Sequence, residues 1–194
     1  MNISPLLNDF SRQYWPLEEK AVGALKERVI GKRVKKREYI LQKGVMCNHF
    51  TFVVEGCFKM YKIDDKGKEH NLQFAIENSW IVDYGSFYSE KPSQLFIEAL
   101  EHSEILQIAR NDLFYLYDHF SVFDRNLRII IEDAFIEQQQ RVLQNISSTA
   151  EERYLDFLKR YPDLFNRISN VQIASYLGVT PEFLSAIRKK IALK

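Results

Sequence analysis

The chain is poor in the residues that mark several common protein classes. Its 194 residues include only two cysteines, seven glycines and five prolines. A disulfide-stabilised secreted domain, a collagen-like repeat and a low-complexity disordered chain are therefore excluded. No charge-free apolar run approaches the roughly 18 residues that a membrane-spanning helix needs, and residues 1–10 lack the basic-then-apolar pattern of a signal peptide. We expect a cytoplasmic protein with no membrane partner.

Metal-dependent and covalent chemistry is also poorly supported. Cys47 and Cys57 lie ten residues apart in an apolar region, with no third or fourth sulfur to complete a zinc or iron–sulfur site. The four histidines are scattered singly along the chain: His49, His70, His102 and His119. There is no Gly-x-Ser-x-Gly motif, no phosphate-binding loop and no His-x-His pair of the kind that a metal-binding jelly-roll enzyme needs. We predict a non-enzyme with two buried thiols, no metal site and no cofactor.

Charge is unevenly distributed along the chain, although the net charge is only +1. Residues 20–43 carry nine bases and two acids, residues 44–146 carry nine bases and sixteen acids, and residues 147–194 have a net charge of +3. An acidic middle between two basic segments is compatible with nucleic-acid contact at one end. For residues 20–43, an ordinary solvated surface explains the basic cluster equally well.

The first half of the chain has the pattern of short β-strands. Runs of aromatic and β-branched residues recur at intervals of about 8 to 12 residues. The runs predicted as strands are residues 39–41, 50–54, 57–63, 70–76, 80–82, 95–97 and 105–108. The turn sequence Asp64-Asp65-Lys66-Gly67 is suited to closing a hairpin between two of them. This pattern predicts an antiparallel β-roll, or jelly roll, within residues 1–120.

Helical periodicity replaces the strand pattern after residue 110. Asn111 is a candidate N-cap for a short helix, and a longer helix is predicted at residues 121–146. One face of the longer helix carries a stripe of mostly apolar residues at helical spacing: Phe123, Leu127, Ile131, Ala134, Gln138 and Val142. Further apolar residues lie on a second face: Ile129, Ile136 and Leu143. Two such faces favour a helix that packs on its own domain and on a second copy, and a wholly intrachain helix is the alternative.

Residues 147–194 have the pattern of a small helical domain. Thr149 and Glu152 form a predicted capping box, so a fresh helix begins there, and Pro162 ends it. Residues 170–191 then fit two short helices joined by a tight turn. This arrangement is the helix-turn-helix motif of many DNA-binding proteins.

The tight turn has a suitable residue at each constrained position. Ala174 is small where the two helices cross closely, and Gly178 is able to take the positive φ that a helix C-terminus requires. Thr180 is suited to cap the second helix, and Pro181 falls at its first position, where a missing N–H costs nothing. A purely structural bundle with no DNA contact is the alternative.

The second helix of this motif presents a polar outer face. Six residues are predicted to contact DNA: Thr180, Pro181, Glu182, Ser185, Arg188 and Lys189. The two bases suit phosphate contacts, whereas Glu182 and Ser185 are better placed to discriminate between bases.

These features together resemble the family of bacterial transcription regulators that contains the cyclic-AMP receptor protein and Fnr, the Crp/Fnr family. The resemblance rests on the β-roll, the long helix and the terminal sequence Ile173-Ala174-Ser175-Tyr176-Leu177-Gly178-Val179-Thr180, and it covers nearly the whole chain. It implies an α+β fold with a cyclic-nucleotide-binding-like β-roll at 1–120, a dimerisation helix at 121–146 and a winged-helix-like helix-turn-helix domain at 147–194. It also implies a homodimer on two-fold symmetric double-stranded DNA, contact with RNA polymerase and a small-molecule effector.

The chain departs from the best-known members of that family at the effector site. Asp83, Tyr84 and Gly85, with Ser93 and Gln94, align with the positions that bind a cyclic nucleotide. The arginine that would pair with the cyclic phosphate is missing, so we predict that cyclic AMP is not the effector. Two cysteines are too few for the four-cysteine cluster of the oxygen-sensing branch.

The chain also departs from the family on the second helix of the helix-turn-helix. Ala186 stands where many members have a base-reading arginine, which shifts recognition toward Ser185 and Glu182. The alternative function is a ligand-binding or protein-interaction module with a β-roll that no longer binds DNA.

Overall fold

Two four-stranded sheets face each other in the computed structural model, which describes residues 2–13 and 15–193, and the side chains of all of these except 10–13. The strands, in chain order, are β1 Val29–Val34, β2 Tyr39–Leu41, β3 His49–Glu55, β4 Phe58–Ile63, β5 Glu69–Ala75, β6 Ser79–Ile81, β7 Phe96–Ala99 and β8 Ser103–Ala109. One sheet has the order β1-β8-β3-β6 and the other β2-β7-β4-β5. This is the predicted β-roll.

Strand β8 lies at the centre of the first sheet and fixes its register. It pairs antiparallel with β1 on one side and with β3 on the other, so that Leu106 lies opposite both Gly31 and Phe52. Phe52 in turn lies opposite Trp80 of β6. Because side chains alternate across a strand, this register directs one side-chain set of each strand to the same face.

Aromatic side chains dominate the space between the sheets. Phe50, Phe52 and Phe58 are fully buried, and the ring centroids of Phe50 and Trp80 are 4.9 Å apart. Burying a side chain of this size contributes about 2–3 kcal/mol relative to leaving it in water. Phenylalanine thus supplies much of the β-roll core.

Eight α-helices accompany the sheets in the described part of the chain. They are α1 Ser4–Gln13, α2 Glu19–Arg28, α3 Tyr84–Ser89, α4 Arg110–His119, α5 Ser121–Ser147, α6 Ala150–Arg160, α7 Asn170–Leu177 and α8 Pro181–Ala192, with a 3-10 turn at Leu164–Asn166. A search of the described residues finds no helix long and apolar enough to cross a membrane.

All seven predicted strands are present, and the structure adds elements that the sequence pattern missed. Strand β1 was missed because its four middle residues are exposed and two of them, Lys32 and Arg33, are charged. Helices flanking the β-roll were predicted within residues 1–120, but without the bounds that the structure gives to α1, α2 and α3. The proposed Asn111 cap was wrong, because α4 begins one residue earlier, at Arg110, after Ala109, whose side chain makes no capping hydrogen bond.

The chain divides into two compact units. Unit 1 comprises Met1–Lys62 and Gln73–Glu132, and unit 2 comprises Ile63–Leu72 and Asp133–Lys194. The division falls inside α5 and assigns the tip of the β4–β5 hairpin to unit 2, so it differs from the predicted domains 1–120, 121–146 and 147–194. Within the described residues 133–193 there is no strand, so the helix-turn-helix is present there without a wing.

Candidate nucleic-acid interface

Helices α7 and α8 of unit 2 form the predicted helix-turn-helix. Gly178 ends α7 with φ +71°, and its N–H donates to the carbonyls of Ala174 and Ser175. Thr180 is the N-cap of α8, where its hydroxyl oxygen accepts from the Phe183 N–H at 3.2 Å, and Pro181 is the first helical residue. The turn is therefore built by the residues that the sequence indicated.

Capping boxes fix the starts of two helices in this unit. The predicted box at the start of α6 is confirmed, since the Thr149 N–H donates to Glu152 Oε2 at 2.7 Å and Thr149 Oγ1 accepts from the Glu152 N–H at 3.3 Å. A second box, not predicted, starts α7, where Ser169 and Gln172 exchange the equivalent hydrogen bonds. The Ser-x-x-Gln spacing in the sequence is the signal that would have revealed it.

A small apolar core holds the two helices of the motif together. The side chains of Ile173, Ala174 and Leu177 on α7 are buried, as are Leu184 and Ile187 on α8. Because Leu184 and Ile187 form the inner face of α8, the opposite face of that helix is exposed to solvent.

The outer face of α8 carries the residues predicted to contact DNA. Thr180, Glu182, Ser185 and Lys189 are exposed, whereas Pro181 and Arg188 are half-buried. Two of these side chains are already engaged, since the Ser185 hydroxyl donates to the Pro181 carbonyl at 2.9 Å and the Arg188 guanidinium donates to Asn170 Oδ1. The six residues thus lie at one end and along one side of a single helix.

Two further residues of α8 bear on this surface. Phe183 is an exposed aromatic side chain beside Glu182. Lys190 forms an ion pair with Glu151 of α6. Lys190 is therefore anchored to its own unit, while Lys189 extends into solvent.

Of the residues predicted for the effector pocket, Asp83 and Ser93 are brought together by a hydrogen bond to each other. Asp83 caps α3 by accepting from the Ser86 N–H at 3.2 Å, and its other oxygen accepts from the Ser93 hydroxyl at 2.6 Å. Ser93 is buried, while Gly85 and Gln94 are exposed. Tyr84 is half-buried, with its ring 6.0 Å from that of Phe50. Asp83 and Ser93 therefore serve an internal hydrogen-bond network.

A cavity of about 240 Å³ lies beside these residues in unit 1, at the start of strand β3, where the carbonyl of its lining residue Val45 accepts from the Ser93 N–H at 3.0 Å. Its lining includes Met46, Cys47, His49, Thr51 and Gln107, and none of its described lining residues is a lysine or an arginine. The Gln107 amide donates to the Thr51 hydroxyl at 3.0 Å. The sequence did not reveal this cavity, because its walls come from strands that are distant in the chain.

The titratable groups of this cavity are held in their neutral forms. Burial, helped by the nearby Lys32 charge, lowers the pKa of His49 below its ordinary value. Burial also raises the pKa of the Cys47 thiol. Both Cys47 and Cys57 are buried free thiols, as predicted. In the described part of the chain, no group of three or more His, Cys, Asp or Glu side chains is arranged to hold a metal ion.

Helix α5 has an exposed apolar face in its second half. Large apolar side chains there face solvent: Phe135, Ile136, Val142, Leu143 and Ile146, the last 80% exposed. Of the residues predicted for the dimer face, Val142 and Gln138 are exposed and Ile131 and Ala134 are half-buried. Phe123 and Leu127 are 0% and 1% exposed in the core of unit 1, so the structure removes them from that face.

The chain is similar to known regulators in sequence and in fold. Residues 31–120 match the family model of the cyclic nucleotide-binding domain. Over 168 residues the chain is 24% identical to the transcriptional activator protein Anr of Pseudomonas aeruginosa, an alignment that covers 81% of this chain and 68% of that protein.

Solved structures show the same fold. FixK2 from Bradyrhizobium japonicum matches with a TM-score of 0.75 and 19% identity, covering 85% of each chain. A mutant of CooA from Carboxydothermus hydrogenoformans matches with a TM-score of 0.71 and 19% identity, covering 99% of this chain and 84% of that one. The predicted combination of β-roll, long helix and helix-turn-helix is thereby confirmed.

Proposed function

We propose that this chain, a member of the Crp/Fnr family of transcription regulators, binds a two-fold symmetric DNA site as a homodimer through α8 of each copy. The observation that carries the proposal is the arrangement of α8 in unit 2. Its inner face is packed on α7, its start is capped by Thr180, and its outer face presents polar and basic side chains to solvent. A helix held in this way suits insertion into the major groove.

The individual contacts divide into two kinds. Arg188 and Lys189 are proposed to contact phosphates, which orients the helix and makes affinity depend on salt. Glu182 and Ser185 lie nearer the leading end and are proposed to contact base edges, with the Glu182 carboxylate accepting from a cytosine amino group. Ala186 is exposed between them and has no hydrogen-bonding group, so recognition depends on fewer base contacts.

The exposed apolar face of α5 is proposed as the dimer contact. Phe135, Val142 and Ile146 lie within about 40° of one another around the helix, since successive residues are about 100° apart. A contiguous apolar stripe of this kind on a monomer marks a protein contact. A two-fold interface, in which the same stripe meets itself, would cover it and place two copies of α8 on one side of the dimer.

The β-roll cavity is proposed to take a small neutral effector. Its walls offer the hydroxyl of Thr51, the amide of Gln107 and the neutral imidazole of His49, and none of its described lining residues is a lysine or an arginine that would pair with a phosphate. Cyclic AMP is therefore not proposed as its ligand. Contact with RNA polymerase is proposed because a curated relative is named as a transcriptional activator, and a cytoplasmic location is proposed because that is where bacterial DNA is found.

The test is selection of bound sequences from a random duplex pool by the purified chain at low salt. We expect enrichment of an inverted repeat with half-sites about one helical turn apart. A pool in which no sequence is enriched would contradict the proposal and favour a ligand-binding or protein-interaction module that does not bind DNA.

A further inference from the structure

Unit 2 contains a cavity of about 460 Å³ that the DNA-binding function does not use. It lies between the second half of α5, helix α6 and the end of α7. Four basic side chains line it: Arg141, Arg153, Lys159 and Arg160. Only two acidic side chains, Glu137 and Asp156, are among its described lining residues. The cavity therefore has an excess of positive charge.

Both acids are already paired with two of the bases. Glu137 forms an ion pair with Arg160. Asp156 lies 3.9 Å from Lys159, and it also accepts a hydrogen bond from the Gln144 amide at 2.8 Å. The unbalanced charge is therefore that of Arg141 and Arg153.

Arg141 is a half-buried cation with no carboxylate partner among the described residues. Its guanidinium donates to the carbonyls of Asn71 and Tyr176, each at 2.9 Å, and to that of Leu72, and it lies 4.1 Å from the centroid of the Tyr176 ring. No carboxylate of the described residues is within 4.0 Å of it. Burial lowers its pKa below the ordinary arginine value. An anion that pairs with this partly desolvated charge would stabilise it.

Arg153 has more unused hydrogen-bonding capacity than Arg141. One of its five N–H donors reaches the Ser148 carbonyl at 2.9 Å. Its Nε is buried and has no hydrogen-bond partner among the described residues. A buried donor without a partner is unfavourable, and a hydrogen-bond acceptor on a ligand would satisfy it.

A second copy of the chain on the exposed face of α5 would leave the cavity open. With about 100° between successive residues, Gln144 lies about 180° around the helix from Phe135, and Arg141 lies about 160° from Leu143. The cavity and the apolar stripe are thus on opposite sides of α5. The cavity is not explained by dimer contact.

We propose that this cavity binds a small organic anion, whose carboxylate or phosphate pairs with Arg141 and Arg153 and whose apolar part lies against Phe157 and Tyr176. Its volume is within the range of small-molecule sites, and guanidinium groups suit carboxylate and phosphate geometry. The site is separate from both the β-roll cavity and the outer face of α8. The proposal goes beyond DNA binding and does not depend on it.

The test is calorimetric titration of the full chain with pyrophosphate and, separately, with citrate, at an ionic strength held constant with sodium chloride. The two probes represent the phosphate and carboxylate forms of the anion. We expect one site per chain for at least one probe, and at least a tenfold weaker affinity in Arg153→Gln. Lys26→Gln removes an equal charge from an exposed position on α2 that belongs to neither proposed binding site, and it should change the affinity less than twofold.

Two results would overturn the proposal. One is the absence of binding for both probes, and the other is binding that is equally strong in wild type and in Arg153→Gln. Arg141→Gln is the second variant, and it should also weaken the affinity for the anion. Its folding is checked by circular dichroism, because Arg141 also contacts three backbone carbonyls. No DNA is present in this experiment, so its failure is distinguishable from a failure of the DNA-binding proposal.

Discussion

Ser175 of α7 and Asn71 of the β4–β5 hairpin tip are joined by a hydrogen bond of 3.1 Å from the Asn71 N–H to the Ser175 hydroxyl oxygen. The same hydroxyl donates to the Glu69 carbonyl at 2.7 Å, and the Asn71 amide donates to the Gln172 carbonyl at 3.0 Å. One serine of the helix-turn-helix thus satisfies two backbone groups of a strand more than 100 residues earlier. Within unit 2, the hairpin tip is part of the DNA-binding domain.

Replacing Ser175 by Ala should loosen this contact, because it leaves the Asn71 N–H and the Glu69 carbonyl without their partner. We expect a loss of about 1–2 kcal/mol in the free energy of unfolding and faster hydrogen exchange at residues 69–72. Ser185→Ala is the matched control, since that exposed hydroxyl bonds only to its own helix. Unchanged exchange at residues 69–72 would show that the contact is not formed in solution.

Asp9 should make the stability of unit 1 depend on pH. Burial raises the pKa of Asp9 to about 6, and the nearby Trp80 side chain opposes this shift more weakly. Because the folded pKa lies above the unfolded value of 3.8, the folded state binds the proton more tightly. The resulting stability is present at low pH and is lost as pH rises through about 6.

Asp9→Asn removes this titration. Between pH 4 and pH 7, the free energy of unfolding of wild type should fall by about 1–2 kcal/mol relative to that of the variant. This value is smaller than the whole pKa shift would give, because solvent screens part of the charge. Urea unfolding at a series of pH values measures the difference. Asp118→Asn changes an exposed carboxylate on α4 and is the control. Parallel stability curves for wild type and Asp9→Asn would contradict the assignment.

Leu143→Glu should dissociate the proposed dimer. Leu143 is an exposed apolar residue on α5, and two facing carboxylates in a two-fold interface would be buried and repel each other. We expect at least a tenfold rise in the dimer dissociation constant by sedimentation equilibrium. Ile30→Glu places the same change on an exposed position of β1 and should leave the assembly unchanged. A dimer that tolerates Leu143→Glu would require another interface.

Replacing Arg188 and Lys189 by Ala should weaken DNA binding and reduce its salt dependence. A plot of log affinity against log salt concentration has a negative slope, and each lost phosphate contact makes it shallower by about 0.9. The slope of the double variant should therefore be shallower than that of wild type by about 2. Fluorescence anisotropy over a range of salt concentrations measures the slope. Lys26→Ala removes an exposed charge on α2 and should leave the slope unchanged. An unaltered slope in the double variant would remove these residues from the DNA contact.

The features predicted most accurately are those whose physical cause lies within a few neighbouring residues. Gly178, Thr180 and Pro181 specify a helix end and a helix start through their own backbone and side-chain properties, and the structure has both where expected. The same is true of the Thr149 and Glu152 capping box. Runs of aromatic and β-branched residues also indicated seven of the eight described strands.

The features that were missed depend on residues far apart in the chain. Phe123 and Leu127 have the spacing of a dimer stripe, but only the fold shows that the first turns of α5 are buried in unit 1. Arg141 gave no signal in the sequence, because its partners include a backbone carbonyl 70 residues away. The two cavities escaped prediction for the same reason, since their walls come from several elements.

The most direct test of the central claim is the affinity and stoichiometry of the chain on its selected duplex, compared with the same duplex after one half-site is scrambled. We predict two chains bound per intact duplex and at least a hundredfold loss of affinity when one half-site is destroyed, because each copy of α8 reads one half-site. One chain per duplex, with equal affinity for the intact and the scrambled site, would contradict a dimeric regulator.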